Sequence, residues 1–264
     1  MVRFYFLFLF LTCFSMQSQI ITLTTTSKSL DWSPQSVTKT GEALTWKASA
    51  AGMEDQVITT LGTPSFDLSL PRSTEDVIIT VSSPDGALGL TELRMINLNI
   101  TFVDLQNVSG LQKLNCSNNL LKELDVSKNT NLIELNCNSN YKIKNLNVNS
   151  NKALEALICF NSEIENLDLS ENINLTLLSC GSNKIKGLDL SMNNSLISLE
   201  CDDNQLESLD IKNGNNIYHH NGYYSQHNQC RYFHSILRGI ITCNRNHKHS
   251  AWLNCLGSIT WLVT

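Results

Sequence analysis

The stretch Leu111-Gln-Lys-Leu114-Asn-Cys116-Ser-Asn-Asn119-Leu-Leu121-Lys-Glu-Leu124-Asp-Val126-Ser-Lys-Asn129 decides the architecture, because the chain then repeats the same pattern. Leu132, Leu135, Cys137 and Asn140 open the next turn, and Ile143, Leu146, Val148 and Asn151 complete it. Later turns run through Leu157, Cys159, Ile164, Leu167, Leu169 and Asn172, then Leu178, Cys180, Asn183, Ile185, Leu188, Leu190 and Asn193. A last one holds Leu199, Cys201, Asn204, Leu206, Leu209 and Ile211. Cys116, Cys137, Cys159, Cys180 and Cys201 mark a period of twenty-one or twenty-two residues. A period of that length means stacked units, each burying its apolar face against its neighbours.

The pattern is that of leucine-rich repeats. In Leu-x-x-Leu-x-Cys the second leucine and the cysteine lie two apart on a short strand, so both point inward while the residues beside them face solvent. Stacking sets equivalent residues about 4.8 Å apart. The asparagine three places after each cysteine sits where the chain leaves the strand, and its amide can donate to and accept from backbone groups that would otherwise be buried unpaired. The apolar side chains of one turn cannot offset the entropy of ordering its backbone, so no turn stands alone and the ends need caps. The expected fold is a leucine-rich-repeat solenoid over residues 88–214, in about six turns. It would carry a curved parallel β-sheet and extended or short helical convex segments, with a small β-rich cap at the N-terminus.

The pattern has defects. An extra residue near Tyr141 and Lys142 lengthens the second turn, and Ser162 stands where other turns place asparagine; both read as loop irregularities. Upstream, Leu93, Met95, Ile100, Val103, Leu105 and Val108 match the apolar positions one period earlier, but Leu98 replaces the ladder asparagine. That describes an atypical first turn leaning on a cap.

With 264 residues there is room for one elongated domain or two small ones, and a net charge of −5 gives no reason to expect nucleic acid or an anionic membrane surface. Arg3 precedes an apolar run from Phe4 to Phe14, with Ser15-Met-Gln-Ser18 after it. That run is too short to span a bilayer and reads as a secretory signal peptide over residues 1–18, leaving a mature chain without a membrane span. Cys13 raises lipidation as an alternative, for which Thr12 is a poor preceding residue. Residues 19–87 lack the period and alternate β-branched with polar residues, as in Asp76-Val-Ile-Ile-Thr-Val81, so they read as the short strands of the cap, with Trp32 and Trp46 filling its core. Such a cap would cover the edge of the first repeat strand.

Half-turns of the form Leu-x-x-Leu-Asn-Cys-Ser-Asn-Asn and Leu-Asp-Val-Ser-Lys-Asn-Thr-Asn, preceded by Phe66-Asp-Leu and Ser-Ser-Pro-Asp-Gly86, resemble the secreted leucine-rich-repeat proteins of Bacteroidetes-type bacteria over about residues 60 to 214. The resemblance implies an extracytoplasmic, secreted or cell-surface protein used for adhesion or recognition, often with a C-terminal sorting domain. No such domain is visible in this chain.

Nine cysteines in an exported chain invite a disulfide or metal reading. Cysteines in register on parallel strands have Cβ vectors running side by side, which suits neither a disulfide dihedral nor a tetrahedral zinc site, so the five are read as small buried hydrophobes. A second column is Asp125, Asp168, Asp189 and Asp210, with Asn147 in the second turn. Stacked carboxylates need hydrogen bonds, solvent or a cation, and the neighbouring Ser127, Ser170 and Ser191 favour hydrogen bonds over calcium. The chain has no Gly-x-Ser-x-Gly elbow, phosphate-cradling glycine loop or His-Glu-x-x-His, and the repeats contain no histidine. Glu200 and Asp202 are paired acids of the kind glycosidases use, but on an open strand face such acids are ordinarily solvated charges. No enzyme activity and no cofactor are expected.

The outward face of the sheet is left as the place for function. Its side chains are Lys113, Asn115 and Ser117, then Glu134, Asn136 and Asn138, then Ala156, Ile158 and Phe160. Leu177, Ser179 and Gly181 come next, and then Ser198, Glu200 and Asp202. The middle is apolar and the margins are polar or charged, which is how recognition patches are built. Ile158, Phe160 and Leu177 are the expected centre of a surface for a protein or glycan partner, with Lys113, Asn115, Glu134, Asn136, Ser179, Glu200 and Asp202 around it. The alternative is an envelope solenoid with a structural role and no specific ligand.

After Asn216 the composition changes: all six histidines lie in the tail, which lacks aspartate and glutamate. Three readings stay open for residues 215–264. One is a metal site from His219, His220, Cys230, Cys243 and His247, although no paired Cys-x-x-Cys completes it. Another is an aromatic cap carrying Tyr223, Tyr224, Trp252 and Trp261. The third is a shift of reading frame after Asn216, which would remove the acidic residues and the repeat together.

Overall fold

The computed structural model describes residues 20–69, 76–83, 89–207, 209–210 and 219–221. The signal-peptide reading of residues 1–18, and every reading of the tail beyond 219–221, fall outside the described residues. The described residues form fifteen strands and no helix. In the N-terminal part these are β1 (Ile20–Thr25), β2 (Ser36–Lys39), β3 (Leu44–Ser49), β4 (Gln56–Thr60) and β5 (Val77–Ser82). The first turn holds β6 (Leu90–Arg94) and β7 (Ile100–Asp104). The repeats supply β8 (Lys113–Asn115), β9 (Glu134–Asn136), β10 (Ala156–Ile158), β11 (Leu177–Ser179) and β12 (Leu188–Asp189). The remainder are β13 (Ser198–Glu200), β14 (Leu209–Asp210) and β15 (His219–Asn221).

One sheet runs in the order β15-β13-β11-β10-β9-β8-β6-β2. Its strands from β6 to β15 are parallel, with Leu93, Leu114, Leu135, Leu157, Leu178, Leu199 and His220 opposite one another in turn. Each step in that register is one sequence period, so the architecture is a leucine-rich-repeat solenoid. The strand leucines and the five cysteines are buried in one continuous core. The backbone of β15 pairs with β13 one period on, although the leucine pattern has stopped there. The ladder also continues past each short strand: Cys137 N–H donates to Ile158 O at 2.9 Å, and Ser139 N–H to Phe160 O at 2.9 Å. Asn118, Ser139, Asn161, Ser182 and Asp203, two residues after each cysteine, have φ between 51° and 58°. That left-handed step turns the chain off the sheet, and Asn, Asp and Ser are among the residues that tolerate or favour such turns.

Opposite the sheet the turns are extended, and the short helical segments allowed by the sequence do not occur among the described residues. Tight i→i+3 turns take their place, with Asn129 N–H donating to Val126 O and Leu132 N–H to Asn129 O.

Two asparagine columns hold the turns together. Asn140 Nδ2 donates to Cys116 O of the previous turn (3.0 Å) and to Cys137 O of its own (2.9 Å), while its Oδ1 accepts Leu121 N–H at 3.1 Å. Asn119, Asn183 and Asn204 make equivalent bridges. The second column, Asn129, Asn151, Asn172 and Asn193, is fully buried, and each Nδ2 reaches two carbonyls. The two defects explain each other. Because the second turn is one residue longer, Ile143 N–H folds back to Asn140 O at 3.1 Å and no longer needs the acceptor that an asparagine at 162 would offer.

The cap and the first turn interleave. A second sheet runs β4-β3-β5-β1-β7, all antiparallel where paired, so β7 of the first turn completes the cap sheet. Reciprocally, β2 of the cap pairs antiparallel with β6 and covers the edge of the solenoid sheet. Trp32 and Trp46 are buried in the cap core, where the sequence reading put them, and the Trp32 and Phe66 rings meet at 6.3 Å between centroids. Leu98, at the ladder position of the first turn, has its carbonyl bonded by Thr25 Oγ1 (2.7 Å) and Trp32 Nε1 (3.3 Å). The cap thus satisfies the backbone carbonyl at the ladder position of the first turn, while Asn119 Nδ2 of the next turn bonds Met95 O at 2.6 Å.

Candidate functional site

The parallel strands present Lys113, Asn115, Glu134, Asn136, Ala156, Ile158, Leu177, Ser179, Ser198 and Glu200 on the side away from the core, because the leucine between each pair is buried. Phe160, Gly181 and Asp202 come directly after the cysteines on the same side and form the next column. The structure therefore brings the sequence-selected residues onto one face, but not all are open to solvent. Ser179 is only 6% exposed, and Ser117 and Asn138 are buried too, covered by their neighbours. Ile158, Phe160, Leu177, Glu200 and Asp202 are half-buried.

The polar margin nearer the cap is internally paired. Lys113 Nζ lies 3.5 Å from Glu134 Oε2, Asn115 Oδ1 accepts from Ser117 Oγ at 2.8 Å, and Asn136 Oδ1 accepts Asn138 N–H at 3.2 Å. In the middle, Leu177 stands beside Ala156, and Ile158 stands between Asn136 and Ser179. The far margin contains an open depression of about 230 Å³ lined by Phe160, Ser179, Gly181, Ser182, Glu200 and Asp202. Ser179 Oγ donates to Glu200 Oε2 at 2.8 Å, which orients that carboxylate. Burial pushes the Asp202 carboxyl above its ordinary value, and the charges of Asp203 and Glu200 push it the same way.

Gly181 and Ser182 are lining residues that the sequence did not single out as candidates. A Cβ on Gly181 would lie 2.7 Å from Asp202 Oδ1, so glycine here lets the carboxylate lie across the previous turn. The signal was present: Gly181 occupies the column of Ser117, Asn138, Phe160 and Asp202, and it alone has no side chain.

Beneath this face the cysteine column is buried. Burial pushes the Cys137 and Cys201 thiols up to about 12, and Cys116, Cys159 and Cys180 are raised well above the ordinary value for the same reason. All five are free thiols. The aspartate column is exposed and closed by short turns: Ser127, Ser170 and Ser191 N–H donate to Asp125, Asp168 and Asp189 Oδ1 at 2.9 to 3.0 Å. These bonds hold the three carboxyls below their ordinary values. No group of three histidine, cysteine or acidic side chains suited to a metal occurs among the described residues. No helix among them is long and apolar enough to cross a membrane.

No protein-family model matches the chain, and no curated protein matches it. Solved structures resemble it in part. The functional domain of InlJ from Listeria monocytogenes, which includes a cysteine ladder, is 25% identical over 53% of this chain and 50% of that chain, with a TM-score of 0.37. An LRR protein of Leptospira interrogans is 17% identical over 46% and 39% of the two chains, with a TM-score of 0.40. Internalin C2 from Listeria monocytogenes is 20% identical over 53% and 74%, with a TM-score of 0.41. The match spans half the length of the first of these.

Proposed function

We propose that this chain is an extracytoplasmic recognition module that binds a partner at the cell surface through the outward face of its parallel sheet, without catalysis and without a cofactor. The supporting observation is the half-buried apolar centre of Ile158, Phe160 and Leu177, set between polar margins on strands whose backbone is hydrogen-bonded turn to turn. A rigid face of this kind spends little ordering entropy on binding, and an apolar centre inside a polar rim concentrates the binding energy.

Capture from envelope and host-matrix extracts tests the reading, with the full chain immobilised and Phe160→Glu as the comparison. Phe160 belongs to the surface and not to the leucine core, so the variant should keep the thermal midpoint of the parent. We expect saturable capture by the parent and at least a tenfold loss in the variant, since truncating or charging a central aromatic typically costs about 2 kcal/mol or more. Equal capture by both proteins would remove the patch, and absence of any saturable partner would leave the structural role.

A further inference from the structure

We propose that the fully buried asparagine column binds a file of water molecules, one between successive turns, each donating its two hydrogens to the Oδ1 atoms of Asn129 and Asn151 or of Asn151 and Asn172. The column belongs to the turns opposite the sheet, so the site stands whatever the sheet face binds.

The donors of the column are spent and its acceptors are not. Asn151 Nδ2 donates to Val126 O at 3.0 Å and to Asn129 O at 2.8 Å, and Asn172 Nδ2 repeats this with Val148 O at 3.0 Å and Asn151 O at 2.9 Å. Two carbonyls at one end of each amide fix that end as nitrogen, because an oxygen turned toward them would meet only acceptors. The opposite end, the Oδ1 of Asn129, Asn151 and Asn172, is bonded by no N–H or O–H of the described residues. All three residues are 0% exposed. The backbone donors of the same tight turns are used elsewhere: Asn151 N–H goes to Val148 O and Leu154 N–H to Asn151 O, and the turns at Asn129 and Asn172 repeat both bonds. Buried polar atoms are paired with protein or with ordered water in the great majority of cases, so these acceptors call for water.

Geometry agrees. The Nδ2 bonds from each turn to the one before it stack the amides in a single orientation, which sets successive Oδ1 atoms one turn spacing apart. Two hydrogen bonds of about 2.8 Å from one oxygen to acceptors about 4.8 Å apart meet at roughly 120°, close to the angle between the O–H bonds of water. The two lone pairs of Asn151 Oδ1 let it accept from the waters on both sides. A cation does not fit. Each interval offers two neutral oxygens and no carboxylate, and a charge among the buried Val126, Val148, Leu154 and Leu175 would go uncompensated.

Neutron diffraction from crystals of the full chain soaked in heavy water tests the assignment. We expect one peak between the Oδ1 atoms of Asn129 and Asn151 and another between those of Asn151 and Asn172, each with two deuterons directed at the flanking oxygens. In solution, the Nδ2 hydrogens of the three asparagines should show cross-peaks at the water frequency with opposite sign in NOE and ROE spectra, the mark of water that stays bound rather than exchanging at once. X-ray data from crystals pressurised with xenon or grown in rubidium chloride separate the other occupants. Empty density between the oxygens, a protein donor within bonding distance of them, xenon in the intervals or a rubidium anomalous signal there would each overturn the proposal.

Discussion

A single amide, that of Asn140, satisfies three backbone groups drawn from two turns: Cys116 O, Cys137 O and Leu121 N–H. Leaving a buried N–H without an acceptor costs about 1–3 kcal/mol. Asn140→Ala should therefore lower unfolding stability by at least that amount in urea titration, and Asn140→Asp should not rescue it, because a carboxylate cannot donate to the two carbonyls. A stability equal to the parent would show that the ladder is dispensable. The thiols stacked behind the same strands make a second test. Burial raises all five and removes them from solvent, so thiolate chemistry is closed in the native state. Mass spectrometry after iodoacetamide should find Cys116, Cys137, Cys159, Cys180 and Cys201 unmodified in the folded protein and modified in denaturant. Rapid native labelling of Cys159 or Cys180 would contradict their place in the core.

At the scale of one turn, the extra residue at Tyr141-Lys142 and the serine at 162 act as a pair. The longer turn satisfies Ile143 N–H locally, through Asn140 O, and the carbonyls of Cys137 and Cys159 each keep one bond from Asn140 and Asn183. Ser162 Oγ, buried and without a partner, marks where the column is interrupted. Deleting Lys142 alone should destabilise the chain by about 1–3 kcal/mol, the cost of one orphaned buried N–H. Adding Ser162→Asn to the deletion should restore most of that loss, and the coupling would appear in a double-mutant cycle on urea midpoints. Strict additivity of the two changes would disprove the link.

For the whole molecule, the cap and the first turn exchange strands, β2 covering β6 and β7 completing the cap sheet. Removing the cap takes the partner from an edge strand, strips Trp32 and Thr25 from Leu98 O, and exposes the apolar end of the stack. A chain beginning at Leu90 should aggregate or lose its cooperative transition by circular dichroism and light scattering, whereas one beginning at Ile20 should not. A stable, monomeric chain from Leu90 onward would show that the turns support one another unaided.

Periodicity alone determined the solenoid, the inward leucines and cysteines, the first asparagine column and the set of residues on the outer face, because a fixed period and strand alternation place side chains without reference to anything distant. The β-rich cap and its buried tryptophans were legible for the same local reasons. Contacts across turns were not. That Ser179 is covered and bonded to Glu200, that Gly181 makes room for Asp202, and that the insertion at Tyr141 releases position 162 all depend on residues about twenty positions apart meeting in space. The strand exchange between cap and first turn spans still longer separations. Only tertiary structure decides such pairings, because each is fixed by which backbone and side-chain groups remain unsatisfied once the turns are stacked.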